Sequence, residues 1–487
     1  MTVETEPNIP HRTLGLTGIT IHAMALTAPG AFLWLLYQVQ ASAGGQGVAD
    51  IWPGVLLTLL GTLLTALSFG ELARRYPEAG FRSAYHFAER FFARQQHPRH
   101  KSMARLARFV TGWAAHLYYW IYPGVLIAFL GGLVDYLLRY LGYHPTVFGE
   151  AFLAASLVAF IGFLALRGIT GTTTSSIVLN VIQLVTLLIF SLLAIAMRLT
   201  NPGAFAASDW SYPTALSVLT PHNLGNVLFQ AALALILMVG FESSTAFGAS
   251  ASNPQRDIPR AVVLALVIQG VFAYLLGYFA SGFALNAGID PIGSRAPIGD
   301  MSLQIGDLML GGYGATLMFS MGLTVLLALL GGTLTAINNG VRISFAMALD
   351  EEMPDVLGLL HPRFATPYYA VVLLCVVSAV VGAAGIIGGL PVLMGIILAS
   401  NLGALLLYAM LCILTVVTFF RDPAFNFFRH LFLPVVGLLD NVGVVVAAIA
   451  IGLNAAGVMS QATSIALSLA AFWLVVSVVY YFIKHRR

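Results

Sequence analysis

Apolar and polar positions along the chain fall into long blocks. Apolar runs near residues 14–41, 52–74, 106–139, 148–167, 172–198, 224–250, 258–285, 312–345, 367–386, 390–419, 431–454 and 461–483 are separated by short polar gaps. A helix needs about 20 residues to cross a hydrocarbon core of about 30 Å, so each run predicts one transmembrane helix. The set predicts an all-α membrane protein of twelve transmembrane helices, with no gap that reads as a soluble domain. Two of the runs are interrupted. The first contains HAMALTAPGAFLWLLYQ, with Pro29 and Gly30 at its middle; proline has no N–H to donate and its ring strikes the carbonyl four residues back, here that of Ala25, so the helix breaks or kinks. The sixth reads LFQAALALILMVGFESSTAFGASASNP and is interrupted by Gly240, Phe241, Glu242, Ser243 and Ser244. If the first ten helices are two halves of five, the breaks fall at corresponding places, the pattern that points to a transporter's solute site. Unwound backbone at membrane depth has to find polar partners inside the protein. The half-helix N-termini that follow the breaks favour a carboxylate, which makes a zwitterion a natural guest.

Composition supports the membrane reading. The 487 residues are 59% hydrophobic and only 9% charged, against roughly 25% charged in soluble domains. Lys and Arg stay on the cytoplasmic side of membrane helices. With both termini cytoplasmic, that side receives Arg12, the basic residues from Arg74 to Arg108, Arg167, Arg256, Arg260, Arg342, Arg363, Arg421, Arg429, Lys484, Arg486 and Arg487, which leaves only Arg139, Arg198 and Arg295 outside. The pI of about 8.8 therefore reports topology and no nucleic-acid partner is implied. The basic, aromatic stretch FRSAYHFAERFFARQQHPRHKSMARLARF reads first as a surface helix obeying the same rule, and second as a contact with anionic lipid. Ala41-Ser42-Ala43 resembles a signal-peptide cleavage site, but the apolar run before it exceeds the roughly 7 to 15 residues of a signal core, so an uncleaved first helix is expected. Cys375 and Cys412 lie within the ninth and tenth runs and are expected to be free thiols.

Candidate chemistry is sparse. Glu242 is an intramembrane carboxylate, a functional candidate by default, for coupling or gating; the plainer role is to cap free N–H groups at the break. Tyr118 and Tyr122 in the third run lie one helical turn apart on one face, placed to hold a cation by ring attraction worth about 0.5 to 2 kcal/mol, or simply to pack. His22 and His116 are candidate proton carriers, although a lone membrane histidine is more often a satisfied polar group. Thr324, Thr333 and Thr335 offer hydroxyls for sodium, but such residues commonly bond back to their own helix. Arg256, Asp257 and Arg260 are candidates for ion pairs at an inner gate. No HExxH, GxSxG or paired-histidine spacing occurs on any run, so an enzyme is not expected, and no cofactor or metal is called for. Repeated polar rings of a channel are missing from the pattern. A six-plus-six carrier of the major-facilitator type would place its long cytoplasmic loop in the middle, whereas here it follows the second run.

Three stretches resemble the amino acid-polyamine-organocation superfamily of permeases. They are FGELARRYPEAGFRSAYHFAER, GFESSTAFGASASNPQRDIPRAV and NNGVRISFAMALDEEMPDVLGLLHPRFATPYYAVV, the last with Arg342, Asp350, Pro354, His361, Thr366 and Pro367 on the family pattern. The resemblance implies the leucine-transporter fold. Its 5+5 inverted repeat, with discontinuous helices 1 and 6, would occupy about 14–200 and 223–420, followed by two accessory helices at 430–484, after a cytoplasmic tail at 1–13. It also implies a secondary transporter for an amino acid or related amine, working by alternating access in the cytoplasmic membrane. A solute-sensing protein of the same fold is the alternative.

By the same resemblance the family's GSGIF falls on Ala28, Pro29, Gly30, Ala31 and Phe32, where backbone and hydroxyl groups hold a substrate carboxylate. Pro29 removes one N–H and the hydroxyl, leaving the N–H groups of Gly30 and Ala31 to bind a carboxylate more weakly. The carbonyls near Ala25 and Leu26 would receive an ammonium. A similar Leu-Thr-Pro start belongs to the polyamine-importer branch, so the departure tilts the expectation toward an amine. The solute is expected between Thr27–Ala31 and Val239–Ser243, with Val239, Gly240 and Ser243 lining it and Phe241 as an aromatic lid. In the family's fifth-helix pattern the lysine that replaces sodium in some members falls on Gln183, which cannot carry a proton. The coupling ion stays open: a proton carried by Glu242 or a histidine such as His22 or His116 is the first expectation, sodium held by freed carbonyls and hydroxyls the second, and solute exchange without an ion the third.

Overall fold

The first apolar run folds as two helices, α1 (Leu16–Thr27) and α2 (Ala31–Ser42), each of 12 residues. A helix of that length reaches only about 18 Å, so neither crosses a bilayer alone. At the junction Gly30 takes φ +91°, left-handed backbone open to glycine because it has no Cβ. The computed structural model describes residues 14–27, 30–43, 48–76, 87, 98–168, 173–204, 211–247 and 251–485; Ala28 and Pro29 lie outside them.

Eleven further segments among the described residues are long and apolar enough to cross a membrane. They begin with α3 (Ile51–Arg75), α4 (Pro98–Tyr140), α5 (Val147–Leu166) and α6 (Thr173–Thr200). The sixth run starts as α7 (Leu224–Ala234) and continues in 3-10 turns over Leu235–Leu237 and Phe241–Phe247. The seventh is α8 (Pro254–Val267), a π-helical stretch over Ile268–Leu275 and α9 (Leu276–Ala284). A short helix, α10 (Pro297–Met309), precedes α11 (Gly314–Leu349), α12 (Tyr368–Ile387), α13 (Gly389–Phe419), α14 (Leu433–Asn454) and α15 (Val458–His485). The described residues contain two isolated β-bridges, Leu14–Ala251 and Leu360–Pro367.

Three of the spans depart from a simple α-helix of bilayer length. The sixth helix leaves α geometry at Leu235, four residues before the expected break at Val239, because carbonyls of its last turn are taken by side chains of other helices. The seventh run is not one continuous α-helix but passes through the π stretch, which carries Gln269. The third run extends N-terminally to Pro98, so α4 has 43 residues and is about twice as long as a bilayer core requires. Most of the basic stretch before it lies outside the described residues.

The 43-residue α4 is the central column, packed against α11, α12 and α13; α3 packs on α7 and α8, and α1 on α8. Buried residues make up 78% of the apolar window in Leu224–Ser244 but 22% in Val458–Lys484, which sets the sixth segment inside the bundle and the last on the lipid face. Exposed side chains such as Phe152 and Phe472 belong against acyl chains. Near one end, buried Asp50 accepts from the His222 and Asn223 amides at 2.6 and 3.1 Å, fastening the start of α3 to that of α7. At that end Arg295 also bridges Asp135 of α4 and Glu150 of α5 at 2.5 and 2.6 Å.

Candidate functional site

The two interrupted segments meet. Helix α1 packs against the Phe241–Phe247 turn, and the Ser252 amide donates to the Leu14 carbonyl at 2.9 Å. A helix that stops leaves its last carbonyls without internal partners, and side-chain amides and a hydroxyl from other helices reach carbonyls in and near these last turns. On α1, Asn180 Nδ2 of α6 reaches the Ile21 carbonyl at 3.3 Å and Gln269 Nε2 the Met24 carbonyl at 2.8 Å. On α7, Asn401 Nδ2 of α13 donates to the Ala232 and Leu233 carbonyls at 2.7 and 3.2 Å, and Thr58 Oγ1 to that of Ala231 at 2.7 Å. Next to the Ala25 and Leu26 carbonyls expected to receive an ammonium, that of Met24 is thus engaged by the protein itself. At the other side of the first break, the opening N–H groups of α2 have no intrahelical acceptor.

Gly240 takes φ +116°, and its amide donates to Glu242 Oε2 at 3.0 Å. Tyr408 of α13 donates to the same oxygen at 3.0 Å and Tyr119 of α4 to Oε1 at 2.9 Å. Glu242 therefore holds the second break to two helices of the bundle. From there a ladder of rings runs along α4 to the first break. Tyr119 and Tyr118 stand 4.3 Å apart, Tyr118 and Tyr122 5.3 Å, and Tyr122 and Phe32 of α2 6.3 Å. Phe241 lies 5.2 Å from the Tyr408 ring and 5.9 Å from Phe69. The hydroxyls of Tyr118, Ser243 and Ser244 are buried and have no hydrogen-bond partner among the described residues. Polar groups in that condition cost free energy unless something pairs with them.

The expected residues distribute unevenly. Gly30 and Ala31 stand at the first break, Val239, Gly240, Phe241, Glu242 and Ser243 at the second, and Tyr118 and Tyr122 between them. Ala28 lies outside the described residues, as do the side chains of Thr27 and His22. Gln183 is buried on α6 with its Oε1 unpartnered among the described residues. His116 turns elsewhere: its ring nitrogens meet the Gly112 carbonyl at 2.9 Å and Ser344 Oγ at 3.0 Å, and its ring stacks with that of Trp473. Thr324, Thr333 and Thr335 bond back to Met321, Leu329 and Gly331 of their own helix. No ion pair among the described residues involves Arg256, Asp257 or Arg260. Sequence reasoning missed Tyr119, Tyr408, Asn180, Gln269 and Asn401, and also Asp440 of α14, a half-buried carboxyl set against Gly61. For Tyr119 the adjacent Tyr118–Tyr122 pair was signal enough; single polar residues on distant helices carry none until packing is known.

Comparison with known proteins agrees with this architecture. The family model described as amino acid permease matches residues 18–484. The chain is 25% identical to the low-affinity putrescine importer PlaP of Escherichia coli (strain K12), over 88% of this chain and 86% of that one. It is also 25% identical to the branched-chain amino acid permease BcaP of Bacillus subtilis (strain 168), over 69% of each. A methylthioribose transporter of the same strain is 24% identical over 82% of this chain and 80% of its own.

Proposed function

Because the chain belongs to the amino acid permease family, and is a membrane transporter rather than an enzyme, we propose that it carries an amino acid by alternating access, held where its two broken helices meet. The observation that carries this is the set of buried hydroxyls without a partner among the described residues, Tyr118, Ser243 and Ser244, together with the N-terminus of α2, whose first N–H groups have no acceptor within the helix. A carboxylate binds the N-terminus of α2; the ammonium binds hydroxyls and the tyrosine faces. The N-terminus of α2 as a carboxylate site is what favours the amino acid over the amine to which Pro29 points. The second reading is a diamine or monoamine, with Glu242 receiving an ammonium; the 86% coverage of the putrescine importer favours it. Protons are the proposed coupling ion, and the charge bias of the loops supports a cytoplasmic position for both termini.

Thermal stabilisation of the detergent-purified protein against amino acids and their decarboxylated amines separates the two readings, since a ligand that binds only the folded state raises Tm. An amino acid that stabilises where its amine does not supports carboxylate recognition. The reverse result moves the substrate to the amines. In proteoliposomes, accumulation should collapse with a protonophore and persist when sodium is replaced by choline; accumulation that requires sodium overturns the proton.

A further inference from the structure

Away from the breaks, at the end of the bundle where Arg75 of α3 pairs with Asp422 at 2.8 Å, a groove of about 510 Å³ opens between α3, α8 and the residues leading into α14. Its upper wall carries Arg74, Arg260 and Arg429, against one carboxylate, Glu71. Glu71 lies 3.3 Å from Arg74 and 4.0 Å from Arg429, so it balances one guanidinium and leaves two in excess. Arg260 has no ion pair among the described residues. The lower wall is apolar, with Leu67 and Leu264 exposed by 41% and 40% on the lipid face. The floor is closed because Gly70 lets α8 approach: a Cβ there would stand 3.2 Å from that of Pro259. A solvated patch needs no apolar wall, and a lipid-packed one needs no arginines.

We propose that this groove binds the phosphate of an anionic phospholipid. Guanidinium groups recognise phosphate through paired hydrogen bonds, and basic pockets between membrane helices suit acidic headgroups. The apolar wall that continues into the bilayer selects a lipid over a soluble anion, because it gives the acyl chains a surface directly below the headgroup. Every arginine involved sits at the end that the charge distribution assigns to the cytoplasm, so the lipid belongs to that leaflet.

The test is native mass spectrometry of the full chain in mild detergent, with phosphatidylglycerol, phosphatidylethanolamine or inorganic phosphate added. Phosphatidylglycerol should be retained in preference to phosphatidylethanolamine, and the Arg260→Gln/Arg429→Gln double variant should lose about tenfold of that preference, as expected for two lost charge-assisted contacts. A thermal melt of the variant checks that it folds. If it does not, Arg260→Gln alone, on an exposed side chain, takes its place with a smaller loss expected. Equal retention by wild type and variant overturns the site. Displacement of the lipid by millimolar inorganic phosphate overturns the lipid as occupant and assigns a free anion.

Discussion

Glu242 shows what one buried carboxylate does where a helix is open. Its two oxygens take the Gly240 amide, Tyr408 and Tyr119, so the break is braced by donors that an apolar or amide side chain would strand. Glu242→Gln keeps one acceptor oxygen and turns an NH₂ toward donors. Leaving buried donors unpaired costs about 1–3 kcal/mol, and the variant is expected to lower Tm and flux together, with Tyr408→Phe losing about 1 kcal/mol. Both are read by thermal melts in detergent; a Glu242→Gln protein as stable as wild type would remove the bracing role. Gly30 sits at φ +91° with a hypothetical Cβ only 2.9 Å from Leu187 Cδ1. Left-handed backbone costs an L-residue about 1–2 kcal/mol, so Gly30→Ala should bind the stabilising solute more weakly while still inserting into the membrane, as ligand-induced Tm shifts would register. At this scale the sequence was informative where backbone chemistry speaks locally: Pro29, Gly30 and Gly240 mark the breaks without any knowledge of packing. Tyr408 and Asn401 stayed silent, because a polar residue on a buried helix acquires its role from whatever faces it.

At the scale of elements, the breaks persist because other helices cap them. Asn401 of α13 serves two carbonyls of α7, and Gln269 of the π stretch serves one of α1. Asn401→Leu keeps the branched shape at a larger volume and strands both carbonyls, a loss of about 1–3 kcal/mol, visible as a lower Tm. An unchanged Tm would mean that water or the backbone takes over the cap. These contacts also explain the two elements that hydropathy could not reveal. Residues 235–239, Leu-Ile-Leu-Met-Val, are ordinary membrane-helix residues, and only the carbonyl partners of the preceding turn show why α geometry stops there. The π stretch over Ile268–Leu275 contains no proline; its one local mark is Gly270, where a Cβ would meet Leu59 at 2.3 Å.

For the whole molecule, the apolar runs were legible because lipid and protein interior are both apolar and a helix must satisfy its own backbone in either. Their arrangement around α4 was not, since a run that is hydrophobic all round does not declare which face meets protein. Topology remains a prediction of charge. In a background with Cys375 and Cys412 replaced, a cysteine at His144 should react with a membrane-impermeant maleimide on intact cells, whereas one at Arg421 should react only after the membrane is opened; the opposite pattern would invert the protein. If the solute passes where the two broken helices meet, solute counterflow in proteoliposomes will depend on Gly240. Wild-type protein should exchange the amino acid that stabilises it, and Gly240→Leu, reconstituted to the same density, should not. Counterflow by Gly240→Leu at the wild-type rate would place the transported solute somewhere else.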